Sequence, residues 1–331
     1  MSTDLAANSI LQKGDDPSPW HPGEVTLQRS VGVVDRMDAR GRKVIRDHLT
    51  AQQREFFANL PHVVLGSVDP DGQPWATLRD GDVGFIRVEN ERRLHIGSAL
   101  RPLDPAQSGI SNGSAIAALG IQFETRRRNR ANGAVANLTR SGFDIRVEHS
   151  FGNCAQYIWL RDRLPDWTKN AREDEYAQIS DGLGAGHIAM IRRADTFFVA
   201  SYADREAGDR QADVSHRGGR PGFVNVSDDG WLTIPDYAGN NFFNTLGNIL
   251  VNGKAGLSFP DYAGDTLLQM TGDAEVLPAT GQNICAPGVE RYWRFRPRRV
   301  VQRSHAISLN WKLSAAPSPS FPEDHLATPV E

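Results

Sequence analysis

Two stretches of this sequence repeat each other, and that repeat constrains the fold more than any other feature. Residues 81–96 read GDVGFIRVENERRLHI, and residues 219–234 read GRPGFVNVSDDGWLTI. Aligned without gaps, at the offset of 138 that pairs Gly84 with Gly222, they share six identities in sixteen positions. Because self-similar chains usually fold as repeated units, the repeat predicts two copies of one domain.

The segments on either side of the repeat support the same interpretation. Three further pairs match in order: HVVLGSVD (62–69) with FFVASYAD (197–204), AALGIQF (117–123) with NTLGNIL (244–250), and ETRRRNRANGAV (124–135) with GDTLLQMTGDAEV (264–276). The last pair aligns Gly133 with Gly272. Several matches in one order favour duplication of an ancestral unit over coincidence.

Each copy has mainly the pattern of β-strands. Short alternating segments rich in β-branched and aromatic residues include VVLGSV, GFIRV, FFVASY, GFVNV and WLTI, with turn sequences between them. The turn SDDG predicts a hairpin in which Gly230 adopts positive φ. Fewer segments have helical patterns: TAQQREFFANL (50–60) with Thr50 as N-cap, SAIAALGIQF (114–123), NNFFNTLGNIL (240–250), and the charged stretch 160–180.

We therefore expect a mainly β (α+β) fold, with two tandem split β-barrels and short helices. The predicted division is a flexible N-terminus over 1–20, a first barrel over 21–158, a helical linker over 159–190, a second barrel over 191–313, and a disordered tail over 314–331. The tail is rich in proline and acidic residues and poor in aliphatic ones, which is typical of flexible segments.

The composition narrows the function classes. The 331 residues carry a net charge of −3, which argues against a surface that binds nucleic acid throughout. There are two cysteines, too few for a disulfide framework, so a reducing cytoplasm is the expected location. We expect neither a secretory signal nor a membrane span, because no stretch has the required apolar length. No cluster of His, Cys and acidic residues has ligand spacing, so no metal site is expected.

Two polar elements bracket the second repeat. His216, Arg217, Gly218 and Gly219 precede its first strand, and arginine pairs well with phosphate. A loop containing Asn240 and Asn241 follows, and the next helix has Asn244 and Thr245 near its start, where free N–H groups suit an anion. The alternatives are a solvated loop for the first element and an ordinary helix cap for the second.

A third candidate is an arginine run in the first copy, comprising Arg126, Arg127, Arg128 and Arg130. On a strand, neighbouring side chains face opposite sides, so two of these arginines are able to reach one site. The alternatives are a solvated basic edge with surface salt bridges, or an isolated nucleic-acid patch that no second basic cluster supports.

These segments resemble a known family. The run 221–277, together with HPGE (21–24), LPHVVLGSVDPDGQPWAT (60–77) and TRRRNRANG (125–133), is similar to the pyridoxamine 5'-phosphate oxidase-related, FMN-binding split barrels, in particular to a tandem two-barrel subfamily. The resemblance covers roughly residues 20–312. It implies FMN as the cofactor, with its flavin ring against paired strands that carry Phe223, Val224, Asp236 and Tyr237.

The resemblance also shows a departure at the phosphate site. Where the family has Ser-Arg-Lys at the start of the short helix, this chain has Gly239, Asn240 and Asn241, and the strand near 220–226 lacks the family's lysine. If the two barrels pair as subunits do in family dimers, then Arg126, Arg127 and Arg128 are placed to supply the missing cations.

The resemblance implies an FMN-dependent oxidoreductase that passes hydride or electrons through the flavin, with an unknown small-molecule substrate. A reduced nicotinamide or a reductase partner is the expected electron donor, and a homodimer is a further expectation. No catalytic residue is identified. The alternative is a split barrel that holds flavin or haem without turnover, and a third reading is a nucleic-acid binder.

Overall fold

The computed structural model describes residues 18–164, 175–205, 209–278 and 288–314. The first part of the chain begins with three helices: α1 (Pro22–Ser30), α2 (Val34–Val44) and α3 (Ala51–Ala58). Seven strands follow: β1 (His62–Val68), β2 (Pro74–Asp80), β3 (Ile86–Asn90), β4 (Arg93–Ile96), β5 (Ala115–Gln122), β6 (Arg127–Ala136) and β7 (Phe143–Asn153). A 3-10 helix (Pro105–Gly109) lies between β4 and β5.

The second part begins with β8 (Arg161–Arg163), β9 (Tyr176–Ser180) and α4 (Ala185–Arg193). Its sheet and remaining elements are β10 (Thr196–Asp204), β11 (Arg210–Gly218), β12 (Asn225–Val226), β13 (Leu232–Tyr237), α5 (Asn244–Asn252), β14 (Lys254–Asp261), β15 (Thr266–Val276), β16 (Val289–Ser304) and β17 (Trp311–Leu313). The predicted flexible ends fall almost wholly outside the described residues, although Trp20 is buried against Phe242.

The two sheets have the same topology. The first has the strand order β2-β1-β5-β6-β7-β4-β3, and the second has β11-β10-β14-β15-β16-β13-β12. Each strand in this order of the second sheet thus corresponds to the strand of the first sheet whose number is lower by nine. Neighbouring strands within each sheet are antiparallel. The expectation of a mainly β fold with few short helices is confirmed.

A β-bulge occurs at the same place in both sheets. The β6–β7 register shifts between Asn132 and Gly133, and the β15–β16 register shifts between Thr271 and Gly272. A Cβ atom on Gly133 would overlap the carbonyl oxygen of Arg146, and one on Gly272 would overlap that of Arg296. Both positions need glycine because another backbone approaches closely, which confirms the alignment of these two residues.

Three of the five hydrophobic clusters among the described residues are large. One lies within each half, and the third joins them, with Val64 and Leu119 from the first half packed with Phe198 and Val214 from the second. Successive residues of β1 alternate between the first-half cluster and the joining cluster, as do those of β10 between the second-half cluster and the joining one. The two halves therefore share a buried hydrophobic interface.

Two local predictions are confirmed. Thr50 caps α3 through its side chain, which accepts from the Gln53 N–H at 3.3 Å. The SDDG turn joins β12 to β13, and Gly230 has φ of 84°.

The segment 114–123 is a strand, so the predicted helix there is wrong. Residues Ile116 to Ile121 are all buried because β5 lies between β1 and β6 with a cluster on each face. A continuous apolar run of this kind does not distinguish a central strand from a buried helix. The pairing of 117–123 with 244–250 fails with it, since the topological counterpart of β5 is β14.

Two further predictions need correction. The alignment of 62–69 with 197–204 is displaced by one residue, because the strand registers place Val64 opposite Leu119 and Phe198 opposite Ser258. The charged segment 160–180 is not helical in its described portions, which form β8 and β9 through pairing with β17 and β16; residues 165–174 lie outside the described chain. Pairing with distant strands overrides the local preference of a charged sequence.

Candidate functional site

A cleft opens where the two halves meet, and it encloses about 890 Å³ of empty space including its open mouth. We call it the interface cleft. The first half contributes residues of β6, β7 and the segment after β7, whereas the second contributes β11, β13 and the start of α5. Its lining comprises Arg128, Arg130, Asn153, Cys154, Gln156, Tyr157, Ser215, His216, Arg217, Gly218, Phe223, Pro235, Asp236, Tyr237, Gly239, Asn240, Asn241, Phe243, Asn244, Thr245, Leu246 and Glu290.

The N-terminus of α5 faces this cleft. Asn241 and the N-cap Phe243 both adopt left-handed backbone, with φ of 60° and 62°. Within the described part of the chain no side chain caps the helix, and the Asn240 side chain instead accepts from the Phe242 N–H at 3.1 Å. The first-turn N–H groups of α5 therefore have no side-chain acceptor, and the helix dipole adds partial positive charge there.

Two hydroxyls and an arginine lie beside that helix end. Thr245 Oγ1 donates to Ser215 Oγ at 2.9 Å, and the Arg130 guanidinium donates to Ser215 Oγ and to Asn244 Oδ1, the latter at 2.8 Å. Arg130 also pairs with Asp213, with 3.2 Å between Nη1 and Oδ1. All these side chains are held by a strand or the first turn of α5, so the donors occupy fixed positions.

Arg128 carries a charge that no carboxylate neutralises within ion-pair distance, among the residues that the structure describes. Its Nε donates to the Cys154 carbonyl at 2.6 Å, and its Nη1 donates to His216 Nδ1 at 3.3 Å. Burial, and secondly the nearby charge of Arg130, lower the pKa of Arg128 to about 9, so it remains a cation at neutral pH. The cleft thus has a positive charge available for an anionic ligand.

His216 is a neutral donor in this setting. Burial and the neighbouring charge of Arg128 lower its pKa well below the usual value. Because arginine only donates, His216 Nδ1 must accept, which leaves the proton on Nε2. That Nε2 is buried and has no hydrogen-bond partner among the described residues. It is therefore free to donate to a ligand in the interface cleft.

The opposite part of the cleft is aromatic and tightly closed. Tyr157 and Tyr237, one from each half, stack with ring centroids 5.0 Å apart, and Tyr157 donates its hydroxyl to the Ala238 carbonyl at 3.0 Å. A Cβ on Gly218 would overlap the Tyr157 carbonyl oxygen, so glycine is required there. Arg217 pairs with Asp236 at 2.6 Å on the floor of the cleft.

Most of the residues predicted for the site do line the interface cleft: His216, Arg217, Gly218, Phe223, Asp236, Tyr237, Asn240, Asn241, Asn244, Thr245 and Arg128. Gly219 and Val224 do not. Gly219 accepts from Trp159 Nε1 at 2.8 Å behind the cleft, and Val224 belongs to the core of the second half.

Arg126 and Arg127 also lie outside the cleft lining. Arg126 is in the turn before β6 and donates to the Ile158 carbonyl at 3.0 Å. Arg127 is exposed and stacks on Phe56 at 5.4 Å, on the opposite face of β6 from Arg128. The arginines that line the cleft are Arg128 and Arg130, which are two residues apart and so share one face of the strand.

Sequence reasoning missed Ser215, and it named Arg130 in the arginine run without selecting it for the site. Strand periodicity was the available signal, because Ser215 and Arg217 share a face of β11 just as Arg128 and Arg130 share a face of β6. Asn153, Gln156 and Tyr157 carried no such signal, since they approach the cleft only through the packing of the two halves.

A buried acid lies directly behind the cleft. Glu24, near the start of α1, accepts from the His21 N–H at 3.0 Å and from Asn244 Nδ2 at 2.6 Å. Burial raises the pKa of Glu24 to about 8, and burial lowers the pKa of His21 to about 4. The HPGE segment thus supports the side chain of Asn244 from behind, within a smaller polar cavity that also contains His149 and Arg205.

One group of potential metal ligands exists among the described residues, at Glu89, His95 and Asp144. His95 Nδ1 lies 2.7 Å from Asp144 Oδ1, and Arg93 Nη1 lies 3.6 Å from Glu89 and 3.9 Å from Asp144. These contacts account for the cluster as a charge network at the edge of the first sheet. The expectation of no metal stays a prediction.

No protein-family model matches this sequence, and no curated protein matches it either. Similar solved structures include a Lactobacillus delbrueckii chain provisionally described as a pyridoxamine 5'-phosphate oxidase, with 16% identity, 40% coverage of this chain, 93% of that chain and a TM-score of 0.26. An FAD-binding protein from Mesorhizobium loti has 12% identity, covering 39% of this chain and 98% of that one, also with a TM-score of 0.26.

An FAD-binding protein from Mycobacterium smegmatis gives 11% identity over 37% of this chain and 96% of its own, with a TM-score of 0.26. Each of these neighbours spans less than half of this chain. Likeness at this level establishes neither a family nor a ligand. Separately, none of the helices in the described residues is long and apolar enough to cross a membrane.

Proposed function

We propose that this protein binds FMN in the interface cleft and acts as an FMN-dependent oxidoreductase. The observation that carries the proposal is the convergence of the uncapped α5 N-terminus, Ser215, Thr245 and Arg130 with the unneutralised Arg128 in one cleft. Backbone N–H groups, hydroxyls and guanidinium groups are the donors that phosphate monoesters attract.

The residues present fit the phosphate end of FMN. Among the described residues, Arg130 Nε has no partner, and neither does Arg217 Nε nearby, so donor capacity remains beyond the internal hydrogen bonds. Asn240 and Asn241 occupy the sequence positions at which the similar family has cations. In this chain the positive charge comes instead from Arg128 and Arg130 of the other half, which also line the cleft. This arrangement supports the role that we expected for the arginine run. The arginines that line the cleft are Arg128 and Arg130, which share one face of β6, and not Arg126 and Arg127.

The remainder of the cleft fits a flat ring with polar edges. The stacked Tyr157 and Tyr237 form an aromatic wall, and Gly218 lets the Tyr157 backbone approach β11 closely enough to hold that wall in place. His216 Nε2 is a buried donor without a partner and suits an oxygen or nitrogen at the ring edge. These residues bind and orient the ligand, and FMN when bound would supply the hydride and electron chemistry.

The proposal includes an electron donor and a setting. We propose a reduced nicotinamide or a reductase partner as the donor, a small-molecule substrate, and a cytoplasmic location, in which the exposed Cys154 would remain a free thiol. Homodimerisation is a further part of the proposal. The aromatic wall and Glu290 at the mouth are where a second molecule would approach the ring.

The test compares FMN with riboflavin, which lacks the phosphate. We expect the purified protein to quench FMN fluorescence on binding, and riboflavin to bind roughly 100-fold more weakly because charge-assisted hydrogen bonds to the phosphate are lost. Equal affinity for both would contradict the phosphate assignment. No binding of either would remove the proposed function.

The second candidate function is a split barrel that binds a flavin or haem without turnover. It is favoured by the nature of the cleft lining, where arginines, hydroxyls and amides are arranged for binding. Reduction of bound FMN by a reduced nicotinamide under anaerobic conditions separates the two functions. A Soret band after incubation with haem would support haem binding instead.

A further inference from the structure

The duplication places a second copy of the interface cleft elsewhere in the molecule, and strand register locates it. With Gly133 matched to Gly272, Arg130 on β6 corresponds to Gln269 on β15, since each lies three residues before its bulge glycine. Their partner strands agree with this match, because Arg130 pairs with Leu119 and Gln269 pairs with Ser258.

The same register extends to the neighbouring strands. Leu119 and Ser258 pair with Val64 and Phe198, which in turn pair with Leu78 and His216. It follows that Thr77 corresponds to Ser215 and Arg79 to Arg217. On the other side, Arg128 pairs with Asn153 and Leu267 pairs with Arg303, so that Asn153 corresponds to Arg303.

Four matched positions therefore carry the same set of donors in the two copies. In the interface cleft these positions hold one hydroxyl, two arginines and one carboxamide, from Ser215, Arg217, Arg130 and Asn153. Its duplicate has one hydroxyl, two arginines and one carboxamide, from Thr77, Arg79, Arg303 and Gln269. At these four positions an arginine and a carboxamide have exchanged places between neighbouring strands, and their summed charge is unchanged. Arg128 of the interface cleft has no charged counterpart, because the same register matches it to Leu267.

The duplicate already contains an anion, which is the side chain of Asp104. Its Oδ2 accepts from Thr77 Oγ1 at 2.6 Å and lies 3.0 Å from Arg79 Nη2 and 3.2 Å from Arg303 Nη1. Its Oδ1 accepts from Gln269 Nε2 at 3.0 Å. All four groups that correspond to the cleft donors thus converge on one carboxylate.

Burial makes this carboxylate a permanent occupant. The side chains of Asp104 and Arg303 have no exposed area, and that of Arg79 is 1% exposed, so no space remains for a ligand. Burial alone would raise the pKa of Asp104, but the charges of Arg303 and Arg79 outweigh it and hold the pKa well below its usual range. The side chain is therefore ionised at neutral pH.

The residue at the equivalent helix cap explains why the interface cleft stays open. Asp104 is the N-cap of the 3-10 helix between β4 and β5. The helix between the corresponding β13 and β14 is α5, and its N-cap is Phe243, which has no carboxylate. One copy therefore supplies an anion from the cap position that contacts all four donors at once. In the other copy Arg130 and Ser215 contact Asp213, Arg217 contacts Asp236, and the same three donors line an open cleft.

We propose that Asp104 is a built-in substitute for a phosphate group, which closes the duplicate site so that each chain binds one phosphate-bearing ligand rather than two. The count of one ligand rests on the proposed function. The role of Asp104 does not, because it follows from the donors around the carboxylate and is testable with inorganic phosphate.

The experiment removes the carboxylate and offers phosphate in its place. Asp104→Ala is expected to lower the melting temperature by about 10 °C, because Arg79 loses its ion-pair partner and Arg303 keeps only Glu175. Inorganic phosphate, compared with chloride at equal ionic strength, is expected to restore about half of that loss by binding the folded state. The wild-type chain, whose duplicate site is filled, should gain less from the same phosphate concentration.

Asp104→Asn is the matched control. It removes the charge but keeps the side-chain volume, so it should be destabilised without responding to phosphate beyond the wild-type gain. If Asp104→Ala does not fold in chloride, its refolding yield in phosphate against chloride gives the same comparison. An Asp104→Ala chain that gains no more from phosphate than the wild type, in melting temperature or in yield, would overturn the inference.

Ligand stoichiometry separates this inference from the proposed function. One FMN per wild-type chain is expected, and two per chain would refute the closed duplicate while leaving FMN binding intact. Failure of the wild type to bind FMN would remove the proposed function, and the phosphate response of Asp104→Ala would still decide the role of Asp104.

Discussion

At the scale of single residues, the site depends on which face of a strand a side chain occupies. Arg127 and Arg128 are neighbours in sequence, yet one stacks on Phe56 outside while the other reaches His216 in the interface cleft. Charge alone therefore does not determine which arginine acts on a ligand. The determining factor is that successive side chains of a strand point to opposite faces.

The two arginines give a matched pair of variants. Arg128→Ala is expected to weaken FMN binding by roughly 10- to 100-fold, because it removes a charged donor and the cation without a carboxylate partner. Arg127→Ala removes the same charge from the outer face and should leave the affinity unchanged. Fluorescence titration of FMN measures both, and equal losses in the two variants would show only a long-range charge effect.

How far the sequence predicts the site can be judged at this scale. The Asn-rich loop leads into α5 as predicted, because helix starts have local signals. His216, Arg217 and Gly218 also line the cleft, but they form the end of β11 and not a loop before a strand. Arg130 was named in the run but was not chosen over Arg126 and Arg127, although period-two spacing from Arg128 favoured it. Tyr157 was beyond prediction, since it reaches the cleft only through contact with Gly218 of the other half.

At the scale of elements, the repeated bulge is the clearest sign of duplication. Gly133 and Gly272 occupy the same register shift, and in each case a carbonyl oxygen of the next strand fills the space where a side chain would begin. The alignment of Gly133 with Gly272 was predictable from one sequence, because both copies kept glycine at a position that admits no side chain. The identity of β5 was not, because a strand buried on both faces has no alternation to detect.

The bulges yield a prediction about stability. Gly133→Ala and Gly272→Ala should each destabilise the protein by about 2 to 4 kcal/mol, since the new methyl group forces two backbones apart. Gly152→Ala on β7 is the control, because its nearest neighbour would be an Asn129 side-chain oxygen at 3.5 Å, an ordinary contact. Chemical denaturation measures all three, and a neutral result at either bulge would contradict the close approach.

At the scale of the whole molecule, the two halves and the N-terminal helices form one packed unit. The third hydrophobic cluster takes residues from both halves, and α1 packs on α5 where Gly23 meets Gly247. Through Glu24 and Asn244 this contact reaches the back of the interface cleft. Ionisation of a single buried acid should therefore affect the stability of the entire chain.

The pH dependence follows from the direction of each pKa. Burial raises the pKa of Glu24 from 4.5 to about 8, so between these values the folded state holds a proton that the unfolded chain releases, and stability falls as pH rises. Burial lowers the pKa of His21 and of His62 to about 4, which has the opposite effect between about 4 and 6.5. Above 6.5, of these three groups, only Glu24 still titrates.

We therefore expect the melting temperature to fall from pH 6.5 to pH 8, at up to about 1.4 kcal/mol of stability per pH unit. Glu24→Gln should remove that alkaline fall, because a neutral side chain then stays buried at every pH. Glu55→Gln on the exposed face of α3 is the control and should keep it. A Glu24→Gln chain with the wild-type alkaline slope would show that another group is responsible.

The position of Asp104 has a consequence that depends on both copies being in one polypeptide. In an assembly of identical subunits, any substitution appears on every subunit at once. A side chain that fills the binding site of one subunit therefore also fills the equivalent site of the other. Covalent fusion of the two copies removes this constraint, because each half has its own sequence. One site is then able to become a buried ion-pair cluster while the other stays open to a ligand. Two identical subunits encoded by one short gene cannot differ in this way.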